Sequence, residues 1–224
     1  MSALFQDRRD AGRTLAAALF ARSNIVHEPV VLGLPRGGVP VAFEVAEKFR
    51  ASLDVCTVQR LEVPGKSGVV MGAVASESVL ILLRSVIDEF QVSEKEVTRA
   101  ARKQILTLFR RERAYRGERN AVSLAGRTVI LVDDGLASMA VAVPAIAAIR
   151  ARSAARIVVA MPVACPESHR QLQGLVDELV CLETPTPFRE VKTWYRDFPE
   201  VSDLDVRRLH ARAVQQTQHW SFPH

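Results

Sequence analysis

The run VILVDDGLASMAVAVPAIAAI, Val129 to Ile149, leads four branched apolar residues straight into two adjacent carboxylates, Asp133 and Asp134. Carboxylates at the end of a buried strand are costly to keep charged without partners. The pair therefore needs something to hold. A small-residue loop follows, Gly135, Leu136, Ala137, Ser138, Met139, Ala140 and Val141, and runs into an alanine-rich segment of helical character. A second loop of chemical interest is GLPRGGVP, Gly33 to Pro40. Gly37 and Gly38 allow a tight turn and a close approach of backbone to ligand, while Arg36 supplies a fixed charge suited to phosphate. A helix expected from about Val39 aims its first amides at this loop. No GK[ST] follows and GxGxxG spacing is absent, so the loop is neither a Walker loop nor a dinucleotide fingerprint. Taken alone, it also reads as a plain strand–helix turn. A third loop, MPVACPES, holds Cys165, which reads as a small buried residue because no histidine is placed by sequence to activate it.

The elements that must carry these loops alternate between strand and helix. Asp7 to Arg22 has the spacing of an amphipathic helix. Strands are expected at Val30–Leu34, Leu53–Val58, Val69–Val74, Val79–Leu83, Thr128–Val132, Arg156–Pro162 and Val176–Leu182. Helices are expected at Val39–Phe49, Ser93–Tyr115, Ala142–Arg152 and Glu167–Leu175, with a last one opened by Ser202 and Asp205. Ser93 with Glu96 three residues on has capping-box spacing. Unbroken apolar strands, each followed by a helix, predict an α/β fold: a mostly parallel sheet with helices on both faces. In such a sheet, ligands sit at the carboxyl ends of the strands, where the three loops fall.

Composition limits the function classes. A chain of 224 residues fits one large domain, and 48% apolar residues give it material for a core. Three scattered cysteines without a CxxC pair suit reduced thiols in the cytoplasm better than disulfides or zinc. No apolar run has membrane-spanning length, and no secretory leader is read at the start. The net charge of +5 is compatible with phosphate-bearing ligands. Arg110, Arg111, Arg113, Arg116 and Arg119 read first as a solvated helix face, with a mobile flap or a weak RNA surface as the alternatives. The five histidines, His27 among them, show no ligand spacing.

Several segments together resemble the type I phosphoribosyltransferases, more narrowly the stand-alone bacterial proteins of that family. They are FQDRRDAGRTLA, VVLGLPRGGVPVAFEVA, VQRLEVPG with MGAVA, RRERAYRG, LAGRTVILVDDG and WYRDFPEVSD, spread over nearly the whole chain. The resemblance implies one domain over 1–224, with a core at about 26–182. A small hood is implied at about 183–224, together with the N-terminal helix. It implies binding of 5-phosphoribosyl 1-pyrophosphate with Mg2+, the metal held by the substrate without direct protein ligands. Pro35, Arg36, Gly37, Gly38 and Arg60 would then serve the pyrophosphate. Asp133 and Asp134 would hold the ribose hydroxyls, kept charged by those hydroxyls and a nearby cation instead of a salt bridge. Residues 135–141 would cradle the 5-phosphate, and Trp194 and Tyr195 would sit at the hood for the acceptor.

The sequence departs from the family pattern in that last loop. Met139 stands in place of a glycine, which matters if the loop needs φ > 0. Val141 stands in place of a hydroxyl donor, and Pro144 is expected in the first helical turn. A second departure is Gly68, Val69 and Val70, where an acidic residue is common. Three functions stay open at this stage: transfer of phosphoribosyl to a nitrogenous base, noncatalytic binding of a phosphosugar or nucleotide, and, least supported, nucleic-acid binding. No membrane partner is expected, and a homodimer is left open.

Overall fold

The computed structural model describes residues 3–22 and 29–220. The expected start of the core at residue 26, and His27, lie outside the described residues. The main sheet has five strands, β1 (Val30–Gly33), β2 (Ser52–Val55), β6 (Thr128–Val132), β7 (Arg156–Val163) and β8 (Glu178–Glu183), in the order β2-β1-β6-β7-β8. All neighbours are parallel. Between β2 and β6 lie β3 (Val58–Glu62), β4 (Val70–Ala75) and β5 (Val79–Leu82).

Strand residues alternate between two cores, as a two-residue period requires. Val31, Ile130, Val132 and Val158 point to one core, against Leu15 and Leu19 of α1 (Arg8–Arg22), Phe43 of α2 (Gly38–Phe49) and Ala213 of α7 (Asp203–Trp220). Val30, Leu32, Val129, Leu131 and Val159 point to the other, against Ile146 and Ile149 of α5 (Met139–Ala151) and Leu172 of α6 (Pro166–Gln173). Burying one such side chain contributes about 1.5–3 kcal/mol, which is why the apolar runs read so plainly as central strands. The α/β class with helices on both faces is therefore the fold observed.

The expected strand Leu53–Val58 is two strands. Cys56 continues the parallel ladder by donating to the Gly33 carbonyl (3.0 Å). Thr57 then exchanges bonds with Ser76: the Ser76 amide donates to the Thr57 carbonyl (2.9 Å), and the Thr57 amide to Ser76 Oγ (3.0 Å). This starts a separate antiparallel sheet, β3-β4-β5. It packs on α4 (Glu94–Arg116) through Leu61, Met71, Val74, Val97 and Leu108. Gly72 is required there, since a Cβ would lie 2.3 Å from the Ile81 carbonyl oxygen. A short helix, α3 (Arg84–Glu89), was not expected. Helix α4 opens with the predicted capping box of Ser93 and Glu96.

Helix α5 begins at Met139, ahead of the expected Ala142, which puts Pro144 in its second turn. The proline has no N–H to give the Ala140 carbonyl, so α5 forgoes one internal bond there. The segment before α1 meets the segment between β8 and α7. Leu4 and Phe5 donate amides to the Trp194 carbonyl, and Arg196 and Asp197 donate to those of Phe5 and Gln6. Tyr195 then stacks between Phe5 and Phe198, with ring centroids 5.5 and 4.8 Å away.

Candidate functional site

Because Gly33 pairs with Val132 in register, the loops leaving β1 and β6 emerge side by side at the carboxyl edge of the sheet. They interlock. A Cβ on Gly37 would fall 2.0 Å from Asp134 Oδ2. One on Gly38 would fall 2.7 Å from the Val132 carbonyl oxygen and 3.0 Å from Asp133 Oδ1. The glycines of the LPRGG loop are thus fixed by contact with the aspartates. The Leu34 amide donates to the Val132 carbonyl (2.9 Å), tying the loops together. The Pro35–Arg36 peptide is cis. Arg36 projects outward, half exposed, and pairs with Glu200 at 2.6 Å.

The two aspartates are treated differently. Asp133 Oδ1 accepts from the Asp134 amide (2.9 Å), and its carboxyl lies against that of Asp134. Burial, then the neighbouring Asp134 charge, push the Asp133 carboxyl well above the usual range. Asp134 has an ion pair: Arg8 Nε donates to its Oδ2 at 2.8 Å. The Tyr195 hydroxyl donates to its carbonyl oxygen at 2.5 Å, and burial pushes that phenol far up. This corrects the expectation that no salt bridge holds the pair. Arg8 was not among the residues picked out by sequence. It is one of three arginines in RRDAGR, and only the fold separates them: Arg9 and Arg13 pair with Glu44 while largely exposed, whereas Arg8 is buried.

Beyond the aspartates, the loop is anchored to β7 by Leu136, whose amide donates to the Val163 carbonyl (2.9 Å) and whose carbonyl accepts from Cys165 (2.8 Å). Ser168 Oγ donates to the Ala137 carbonyl (3.3 Å). Gly135 fits closely, since a Cβ there would meet Val191 at 2.6 Å. No residue from 135 to 141 has positive φ. The glycine that Met139 replaces is therefore not needed for backbone conformation. Met139 and Val141 pack their side chains against the core. Met139 also lines an apolar cavity of about 290 Å³, with Val70, Gly72 and Val143. Ser138 is the N-cap of α5, and its hydroxyl makes no capping bond. Helix α5 thus presents uncapped first-turn amides beside the aspartates, with Ala137 and Ser138 exposed. Helix N-termini of this kind favour anions.

Three expected residues stand elsewhere. Arg60 lies exposed on the edge strand β3, lining a groove with Glu96, Arg99 and Lys103 of α4, and among the described residues it makes no ion pair with the aspartates. Trp194 and Tyr195 are both buried, so neither offers a face on which a base could stack. Trp194 packs near Phe188 at 6.3 Å between centroids, and Tyr195 braces Asp134 from below. Their aromatic sequence signal came from packing of the segment between β8 and α7 on itself and on Phe5.

The arginine run is also divided. Arg116 turns inward, and its Nε, Nη1 and Nη2 donate to Asp54 Oδ1 (2.7 Å), Glu112 Oε2 (3.0 Å) and the Val55 carbonyl (3.0 Å). Thr57 and Ser76 hydroxyls donate to Glu112 Oε1 at 2.7 and 2.5 Å. His210 Nε2 lies 3.6 Å from Asp54 Oδ1. Burial alone would raise Asp54, but His210, Arg116 and the Val122 amide bring its carboxyl down to about 2. Burial pushes the Cys56 and Cys181 thiols up to about 12 and about 11, so neither is a nucleophile near neutral pH.

The parallel sheet thus brings a glycine–arginine loop, paired acids and an open helix N-terminus together at its carboxyl edge. The phosphoribosyl transferase domain family matches residues 5–197, and the chain belongs to that family. It is 41% identical over 203 residues to Rv0571c of Mycobacterium tuberculosis, strain H37Rv, and equally to MT0597 of strain CDC 1551. The names of both place them provisionally among the phosphoribosyl transferases. The match covers 91% of this chain and 45% of each relative, so the chain spans about half the length of the curated relatives it matches. Among solved structures, TT1426 from Thermus thermophilus is similar, with a TM-score of 0.81 and 38% identity over 93% of this chain and 98% of that one.

Proposed function

We propose that the chain binds 5-phosphoribosyl 1-pyrophosphate with Mg2+ and transfers its phosphoribosyl group to a nitrogenous base. The observation that carries this is the interlock of Gly37 and Gly38 with Asp133 and Asp134, beside the uncapped α5 N-terminus. In this reading, amides of α5 and the Ser138 hydroxyl take the 5-phosphate, and Asp133 accepts from a ribose hydroxyl. Arg36 leaves Glu200 to meet the pyrophosphate, an exchange that costs little because the pair is solvent-exposed. A nitrogen lone pair of the base forms the new bond to the anomeric carbon. The carbon–oxygen bond to pyrophosphate breaks, pyrophosphate leaves with the electron pair, and the proton of the attacking nitrogen passes to solvent. The paired acids favour the positive charge that develops on the ring.

An undercompensated carboxyl at Asp133 fits a substrate that brings a divalent cation, and Mg2+ on the pyrophosphate would neutralise the leaving charge. Loss of side-chain donors, with Val141 turned to the core, favours a second reading: a binder of the same ligand that does not transfer. Calorimetric titration of the Mg2+–phosphoribosyl pyrophosphate complex tests both. Wild type is expected to bind, and Asp133→Asn to bind at least about tenfold more weakly, since a charge-assisted bond is lost. Asp133→Asn should melt no lower than wild type, because it removes a buried charge. No heat with wild type would overturn the proposal. Binding without base-dependent pyrophosphate release would leave the second reading in its place.

A further inference from the structure

We infer that Arg8 is a positioning residue that fixes Asp134, leaving Asp133 as the carboxylate that meets the ribose. The inference rests on the transferase reading above and divides the labour of the acid pair. Arg8 lies 126 residues from Asp134 in sequence and reaches it from the start of α1. Its guanidinium is held at two nitrogens and over one face. Nε is on Asp134 Oδ2 at 2.8 Å, Nη1 is on the Pro199 carbonyl at 2.7 Å, and the plane lies 3.5 Å over the Phe198 ring. A planar fork that donates from two nitrogens and stacks on a ring is a use of arginine that lysine does not reproduce.

Asp134 has little freedom left. Arg8 holds one oxygen, Tyr195 holds its carbonyl, and Gly37 lies against its carboxylate. Asp133 accepts one amide on one oxygen, and its carboxyl otherwise meets only that of Asp134, with no cation of its own. A locked carboxylate is a frame and an undercommitted one is a ligand site. Arg9 and Arg13 cannot take over, because both are committed to Glu44. Without Arg8, two adjacent carboxylates would face each other with no cation between them. Asp134 would swing from its place against Gly37, and the LPRGG loop would lose its template.

The test uses Arg8→Gln, Arg8→Lys, Asp134→Asn and the double variant Arg8→Gln/Asp134→Asn. Each is titrated with the Mg2+–phosphoribosyl pyrophosphate complex, and each is melted by circular dichroism. Arg8→Gln should weaken binding about tenfold or more, and Arg8→Lys should recover part of that loss. The double variant should bind no worse than Asp134→Asn alone, because no unpaired charge remains. A merely structural arginine would instead give losses that add in the double variant. Additive losses, or a folded Arg8→Gln that binds as wild type does, would overturn the inference. Should Arg8→Gln fail to fold, Arg8→Lys carries the test: wild-type binding sinks the inference, and a loss reversed by Asp134→Asn supports it. A silent wild type sinks the transferase reading and this inference together; a wild type that binds while Arg8 makes no difference sinks the inference alone.

Discussion

Asp54 and Glu112, between β2 and α4, and Asp133 and Asp134, at the end of β6, are two acidic pairs provided for in opposite ways. Around the first, Arg116, His210, Thr57, Ser76 and backbone amides supply donors to nearly every oxygen. Around the second, one arginine serves one aspartate, and the other has a single amide and its neighbour's carboxyl. The first pair is complete without a ligand and fixes α4 and α7 to the main sheet. The second has fewer donors, and an acid short of donors is where the proposed ligand would supply the rest. Both centres are acidic, but Asp54 and Glu112 are buried while Asp133 and Asp134 are partly exposed, so donor number and access to solvent together separate the inner brace from the candidate site.

The largest effect that could break this comparison is at Arg116. Arg116→Met would strand two buried carboxylates, and urea unfolding should show a loss of about 3–5 kcal/mol. A loss under about 1 kcal/mol would mean that the inner cluster is no brace. Acid separates the centres next. Asp54 is lowered from 3.8 to about 2, so it contributes about 2 kcal/mol at neutral pH. That contribution is present above about pH 4 and lost as pH falls toward 2. Asp133, raised, has the opposite sign: what it contributes is present at low pH and lost as pH rises through its folded value. Urea unfolding of Asp133→Asn at pH 6 and pH 3 should therefore keep the acid loss due to Asp54, and a flat profile would refute the assignment. The smallest effect lies at two helix caps. Ser93→Ala removes a full capping box and should cost about 1 kcal/mol. Ser138→Ala removes a hydroxyl that caps nothing, so melting should hardly move while affinity for the phosphoribosyl pyrophosphate complex falls a few-fold.

What could be read in the sequence follows the range of the interactions. Local apolar periodicity announced the central strands, and the same runs brought the LPRGG and DDG loops into view. The Ser93–Glu96 box was legible because all its atoms lie within one turn. The small sheet was partly missed because its start depends on Thr57 meeting Ser76, and VQRLE carries no unbroken apolar run. Arg8 and Arg116 look like their neighbours in sequence, and only contacts 126 and 62 residues away distinguish them. Trp194 and Tyr195 announced packing, and composition alone could not say whether that packing faced a ligand or the chain's own beginning.

The contact of Arg8 with the Pro199 carbonyl spans 191 residues. At a synthesis rate of about 5–20 residues per second, roughly 10–40 seconds separate the appearance of the two on the ribosome. Arg8 can find Asp134 as soon as β6 has joined the sheet, but its second anchor and the Phe198 ring arrive only after β7 and β8. Assembly of the candidate site is therefore timed by the segment after β8, and until that segment is made the loops lack the clasp that sets them.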